Sequence, residues 1–169
     1  NTGMNRLGFR PPEALRVWRQ LKALPAVSAI HLMTHFSRAD ELASNQTELQ
    51  WGRFSAVRDA LNLQQGMPLT TSVANSAAIL AWPQTQSDWM RPGIALYGSS
   101  PFAEQTAESL GLQPVMTLHS RVIAVHSLQA GDEVGYGAAW VADAPARIAV
   151  VAIGYGDGYP RHARNGTPV

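Results

Sequence analysis

The 169-residue sequence predicts an α/β fold, a parallel sheet or barrel, that gives way near residue 114 to a β-domain. Three observations carry this reading. Before residue 114, short apolar strand-like runs alternate with stretches of helical period. A cluster of polar residues follows the strand-like runs. Beyond Pro114 the helical period disappears, and strand-like runs separated by turns take over.

Each element has its own signal. Pro11-Pro12-Glu13 opens a helix whose apolar positions are Leu15, Trp18, Leu21 and Leu24, since proline at a helix start loses no hydrogen bond. Ala29 to Thr34 reads as a strand ending in the polar cluster His35, Ser37, Arg38 and Asp40. A second helix spans Thr47 to Leu63, with a buried stripe of Trp51, Phe54, Val57 or Arg58, and Leu61. Leu69 to Val73 is the next strand, and Asn75-Ser76 stands where a helix through Ala77, Ile79 and Leu80 begins. Gly93 to Tyr97 fits either a strand or a short helical turn. In the second part, Val115 to Val125 and Arg147 to Ile153 read as strands. Gln129 to Asp132 and Asp143 to Pro145 are turns.

Composition narrows the function classes. Hydrophobic residues make up 46% and charged residues 15%, a globular balance that excludes disorder. A net charge of +1 gives no electrostatic case for nucleic acid or an anionic membrane. There is no cysteine, so disulfide frameworks and thiolate metal sites are excluded and a reducing compartment is favoured. No run approaches ~18 apolar residues, the length of a membrane span. The chain opens on Asn1 without a signal-peptide pattern. It closes on Gly166 to Val169, which reads as the beginning of a strand. Both ends look like cuts through a fold, so an internal fragment is expected.

The chemistry-bearing residues cluster around glycine. Met90-Arg91-Pro92-Gly93-Ile94-Ala95-Leu96-Tyr97-Gly98 sets an arginine before a Pro-Gly turn, where backbone amides can approach an anion closely. Gly135-Tyr136-Gly137 and Gly154-Tyr155-Gly156-Asp157-Gly158 hold tyrosines between glycines. His35, then Asn75 and Ser76, then Arg91 and Gly93 all follow strand-like runs, where the active sites of α/β barrels collect. Taken singly, each has a plainer reading. Ser76 serves as a helix N-cap, Arg91 as a surface ion-pair partner, Arg6 as a solvated side chain, Asp157 as a turn former, and the tyrosines as packed aromatics. The glycine spacing matches neither a dinucleotide fingerprint nor a P-loop. His31, His35, His119, His126 and His162 form no i,i+4 pair on a helix, so no zinc site is expected. Residue types and spacing reach as far as a phosphate-bearing cofactor enzyme.

Six segments in order carry a more specific likeness: Thr2 to Gly8, Thr34-His35-Phe36 with Ala39-Asp40, Ala74 to Ala78, Arg91 to Ile94 with Leu96 to Gly98, Val134 to Gly137, and Gly154 to Arg161. Together they resemble the middle of the alanine racemases, the fold-type III pyridoxal-phosphate enzymes. Asn1, where many members carry Asp, resembles the catabolic branch. The resemblance implies that residues 1–113 are the C-terminal part of a (β/α)8 TIM-type barrel and residues 114–169 the start of a mostly β C-terminal domain. It also implies a cytoplasmic homodimer whose active sites draw on both subunits.

By the same resemblance, Arg91 faces the pyridine nitrogen and His35 hydrogen-bonds that arginine. Ser76 and the amides of Gly93 and Ile94 hold the phosphate, with Asn75 in the cofactor-binding set. Arg6 approaches the substrate carboxylate, and Tyr155 lines the substrate entrance. Tyr136, supplied in trans, is one of two catalytic bases interconverting L- and D-alanine, either supplying D-alanine for peptidoglycan or degrading it. A guanidinium does not give up its proton, so Arg91 leaves the pyridine nitrogen unprotonated and the electron sink weak, which disfavours transamination. The other base is the cofactor-bearing lysine. The family's Lys-Ala-Asn-Ala-Tyr-Gly-type motif is absent, and the only lysine here is Lys22, in the first helix. A broad-specificity amino-acid racemase is the alternative. A related fold-type III decarboxylase is disfavoured, because it places a carboxylate where Arg91 stands.

Overall fold

The computed structural model describes residues 1–64 and 69–167. The chain divides into two compact units, Asn1–Met116 and Thr117–Val169. The strand start expected at Pro168-Val169 lies outside the described residues.

The first unit repeats strand and helix. A 3-10 turn at Pro11–Glu13 leads into helix α1, Ala14–Lys22. The helix stops two residues short of the expected Leu24 because Leu24 precedes Pro25, whose ring excludes helical backbone at the residue before it. Strand β1, Ile30–Met33, leads to helix α2, Gln46–Asn62. Strand β2, Leu69–Asn75, passes directly into helix α3, Ser76–Ala81. Strand β3 is Trp89–Arg91, whose bounds the sequence does not mark, because three residues are too few to show a period. Gly93 to Tyr97 resolves as the helical alternative, a 3-10 turn over Ile94–Tyr97. The three strands form one parallel sheet in the order β1-β2-β3, as sequential strand–helix units require.

Parallel packing explains which residues are buried. Val73 and Ala74 of β2 sit in a core with Phe36, Ala39, Phe54, Ala77, Ala78, Trp82 and Phe102. Trp82 Nε1 donates to Ala39 O at 2.9 Å, which satisfies its indole inside that core. The buried side of α2 is Thr47, Gln50, Phe54 and Leu61, with Trp51, Val57 and Arg58 only half-buried. The expected stripe thus holds at Phe54 and Leu61 but misses the two polar members. Gly98 is fixed by geometry: φ is +75°, and a Cβ there would stand 1.9 Å from Gln113 O.

Asp88 finishes the sheet where β3 runs out. Its carboxylate accepts from Thr71 N at 2.7 Å and Thr71 Oγ1 at 2.8 Å. The Thr71 hydroxyl first, then its amide, hold the Asp88 carboxyl below the usual carboxylate range. A depressed folded-state pKa means this stabilisation is complete above the unfolded value of ~4 and disappears as pH falls through the lower folded value. Asp88→Ala should therefore lower the thermal midpoint at neutral pH, and the deficit should shrink in acid. A midpoint deficit independent of pH would contradict the assignment.

The second unit is β-structure. Strand β4, Val122–Leu128, pairs antiparallel with β7, Ala146–Val151. The two-residue strands β5, Glu133–Val134, and β6, Trp140–Val141, pair with each other. The strand expected over Val115 to Val125 begins only at Val122. Its partner β7 is six residues long, so the ladder cannot extend back to Val115. Val115, Met116 and Leu118 are exposed, and nothing among the described residues pairs with that stretch as a strand. The turn at Gln129 to Asp132 closes with Asp132 N donating to Gln129 O at 3.1 Å. Among the described residues, no helix is long and apolar enough to cross a membrane.

Candidate active site

Sheet geometry gathers the site. In a parallel sheet all strands end on one side, and the residues at those ends are Thr34 and His35 after β1, Asn75 closing β2 with Ser76 next to it, and Arg91 closing β3 opposite Asn75. Arg91 is half-buried, and its guanidinium reaches back over the neighbouring strands. Nη1 donates to Ser72 Oγ at 2.5 Å, and Nη2 donates to Thr34 O at 2.6 Å and Val73 O at 3.3 Å. His35 Nδ1 lies 3.3 Å from the same Nη2. A guanidinium only donates, so Nδ1 accepts and the imidazole proton belongs on Nε2. Burial, then Arg91, then Arg6 push the His35 pKa below its ordinary value. His35 is therefore neutral at neutral pH. Burial also lowers the Arg91 pKa, though from a starting value so high that the group stays charged.

Ser76 does something other than cap. The N-cap of α3 is Asn75, whose Oδ1 accepts from Ala78 N at 3.1 Å. Asn75 has extended backbone (φ −89°, ψ −175°), as a cap requires, whereas Ser76 is already the first helical residue. This frees the Ser76 hydroxyl to face the next loop. It accepts from Gly93 N at 2.8 Å and from Ala95 N at 3.2 Å. Two backbone donors thus converge on one oxygen. Asn75 Nδ2 also donates to Phe36 O at 3.4 Å, tying the loops after β1 and β2. Ile94 is exposed beside this turn.

Arg6 and His35 line one cavity of about 170 Å³ with Met4, Met33 and Thr34. The loop bearing Arg6 is shaped by Asn1, whose Oδ1 accepts from Gly3 N at 3.2 Å and Asn5 N at 3.0 Å and so helps hold Asn5 at φ +58°. An Asp oxygen could do the same; the Asn1 Nδ2 bond to Asn5 Oδ1 at 3.1 Å is specific to asparagine.

The two tyrosines belong to the second unit. Tyr136 is 97% exposed and opens a 3-10 turn between Gly135 at φ +77° and Gly137 at φ +67°. The left-handed backbone on both sides accounts for the glycine pair. Tyr155 is 67% exposed, with the Arg161 guanidinium 5.8 Å from its ring centre. Neither is a packed aromatic. Asp157 is a turn former, accepting from Gly154 N at 3.0 Å.

Thr2, Thr34, Ser72 and Gln50 join the site although nothing in their residue type or spacing assigns them a role there. A detectable signal existed for Gln50, which stands four residues before Phe54 on the face that α2 buries.

These features define the class first: part of a parallel β/α barrel with its polar residues gathered at the strand ends, joined to a β-unit. Residues 1–101 match the alanine racemase N-terminal domain and residues 115–169 match the alanine racemase C-terminal domain. The chain is 54% identical over its whole length to an alanine racemase of Hahella chejuensis, of which it covers 44%. It is 51% identical over its whole length to a catabolic alanine racemase of Pseudomonas putida, covering 46% of it. The biosynthetic alanine racemase of Pseudomonas aeruginosa superposes with a TM-score of 0.88 at 46% identity, over 99% of this chain and 45% of that one. The chain belongs to the alanine racemase family. It spans just under half the length of these relatives, and they include both catabolic and biosynthetic members.

Proposed function

We propose that the whole protein is an alanine racemase that interconverts L- and D-alanine with pyridoxal phosphate and two bases, as a homodimer. The observation that carries this reading is Arg91, a guanidinium held by Thr34 O, Ser72 Oγ and Val73 O beside His35. Carbonyls on two sides favour a cation there. A carboxylate, the group a decarboxylase would use, would meet repulsion from both. The domain division follows the same reading, residues 1–113 belonging to the barrel and 114–169 to the β-domain. Family matches over 1–101 and 115–169 support it.

The donor set fits the cofactor. Gly93 N and Ala95 N converge on Ser76 Oγ, and a hydroxyl that accepts from amides still has its own proton to give a phosphate oxygen. Ser76, with Asn75 and the amides of Gly93 and Ile94, would hold the phosphate, the Gly93 amide by exchanging Ser76 Oγ for a phosphate oxygen, and Arg91 would face the ring nitrogen without yielding a proton. When bound, the cofactor supplies the electron sink that lets Cα release its proton. Arg6 would orient the substrate carboxylate. Tyr136, from the partner subunit, would move the proton on one face, and Tyr155 would line the entrance. The other face falls to the lysine that the resemblance sets outside these residues.

Ser76→Ala in the whole protein should weaken pyridoxal-phosphate affinity about 10-fold or more, the expected loss for a hydrogen bond to a charged group. The stabilisation gained on adding cofactor should shrink accordingly. Unchanged affinity and unchanged thermal shift would contradict the phosphate assignment.

A further inference from the structure

We propose that Gln50 is a positioning residue that sets Arg91 and the Arg6-bearing loop from behind, through two hydrogen-bonded arms that meet on one guanidinium nitrogen. The inference rests on the functional reading above for what Arg91 does, and on geometry alone for what Gln50 holds.

Gln50 lies in α2 and is 0% exposed. Burying a carboxamide is unfavourable unless its polar atoms are satisfied. Here all four bonding positions are used. Nε2 donates to His35 O at 3.1 Å and to Thr2 Oγ1 at 3.3 Å. Oε1 accepts from Ser37 N at 2.9 Å and Ser37 Oγ at 3.0 Å. The orientation of the amide is forced, since His35 O can only accept and Ser37 N can only donate.

The first arm runs from Nε2 to Thr2 Oγ1, on to Thr34 Oγ1 at 2.6 Å, and from the Thr34 carbonyl to Arg91 Nη2 at 2.6 Å. The second runs from Nε2 to the His35 carbonyl, and from His35 Nδ1 to the same Nη2 at 3.3 Å. Arg53 Nη1 reinforces the first arm by donating to Thr2 O at 2.8 Å. A leucine or methionine would fill the same volume without desolvating an amide. The carboxamide does what an apolar side chain cannot: it fixes the loop after β1 and the loop of residues 1–6 to one helix, and so to each other. Thr2 and Thr34 are buried, so neither hydroxyl has water as an alternative partner.

The test uses Gln50→Met in the whole protein and two readouts. The first is the His35 imidazole titration, followed by NMR with the resonance assigned through His35→Gln. The charged groups facing His35 are Arg91 and Arg6. With the His35 carbonyl released, the ring should separate from Arg91 and its titration midpoint should rise toward the ordinary value of ~6.5. An unmoved midpoint in a folded variant overturns the proposal. The second readout is a double-mutant cycle on racemisation with Arg91→Lys. Gln50→Met should slow the wild type about 10-fold, as misplaced groups do, and the Arg91→Lys background less than about two-fold. Equal losses in both backgrounds overturn it, because a merely structural role would be additive. Should Gln50→Met fail to fold, the isosteric Thr2→Val cuts the first arm alone and carries the double-mutant cycle with Arg91→Lys, equal losses in both backgrounds again overturning the proposal. The NMR readout needs no racemisation, so a protein that does not racemise alanine sinks the functional reading while leaving Gln50 decided.

Discussion

Tyr136→Phe in the whole protein is expected to slow racemisation roughly 10²–10⁴-fold, the usual cost of one general acid–base group. The fold should be untouched: the ring is 97% exposed, so nothing packs on it, and exposed substitutions of this kind stay within about 0.5 kcal/mol. The loss should be one-sided. Hydrogen exchange at Cα in deuterium oxide should persist for one enantiomer of alanine, whose proton the lysine takes, and nearly vanish for the other. Mixing the variant with a protein lacking that lysine should restore part of the activity, because one of the two sites in a heterodimer then carries both bases. Equal residual exchange from both enantiomers, or no restoration despite proven subunit mixing, would contradict a one-sided base supplied in trans.

Arg91→Glu is the second large effect. A carboxylate would favour a proton on the pyridine nitrogen and strengthen the electron sink. Racemisation should fall on the order of 10²–10³-fold, typical of removing one fixed electrostatic group. Keto acid should appear as a by-product of transamination. The structure adds a stability cost. Arg91 satisfies Thr34 O, Val73 O and Ser72 Oγ, and glutamate can accept only from the serine. Leaving buried acceptors unpaired costs about 1–3 kcal/mol, visible as a lowered thermal midpoint. A variant with wild-type rate and no keto acid would remove Arg91 from its role.

The physical basis of what was legible in the sequence is uneven. Helical period and proline placement located α1 and α2 to within a residue or two at most ends, because burial of one face writes itself into residue type. β3 left no such trace, since three residues paired to β2 are fixed by tertiary contacts rather than by pattern. The Val115 to Arg121 stretch has strand-like composition but no strand partner among the described residues, and strand propensity is realised only in a ladder. At the site, His35 and Ser76 stand out because they follow strands, and Arg91 because it precedes a Pro-Gly turn. Ser76 reads as the N-cap in sequence because sequence does not say which of two adjacent polar residues has the extended backbone. The network of Gln50, Thr2 and Thr34 left no trace because its partners lie 13 to 57 residues apart in sequence. Long-range polar networks have no period.

Hydrogen exchange and chirality of alanine, followed together by the unmodified whole protein with pyridoxal phosphate in deuterium oxide, test the central claim most directly. Pure L-alanine and pure D-alanine should each run to the same equal mixture, with deuterium at Cα in both products. Enantiomers that keep their configuration, or alanine that loses its carboxylate instead, would contradict it.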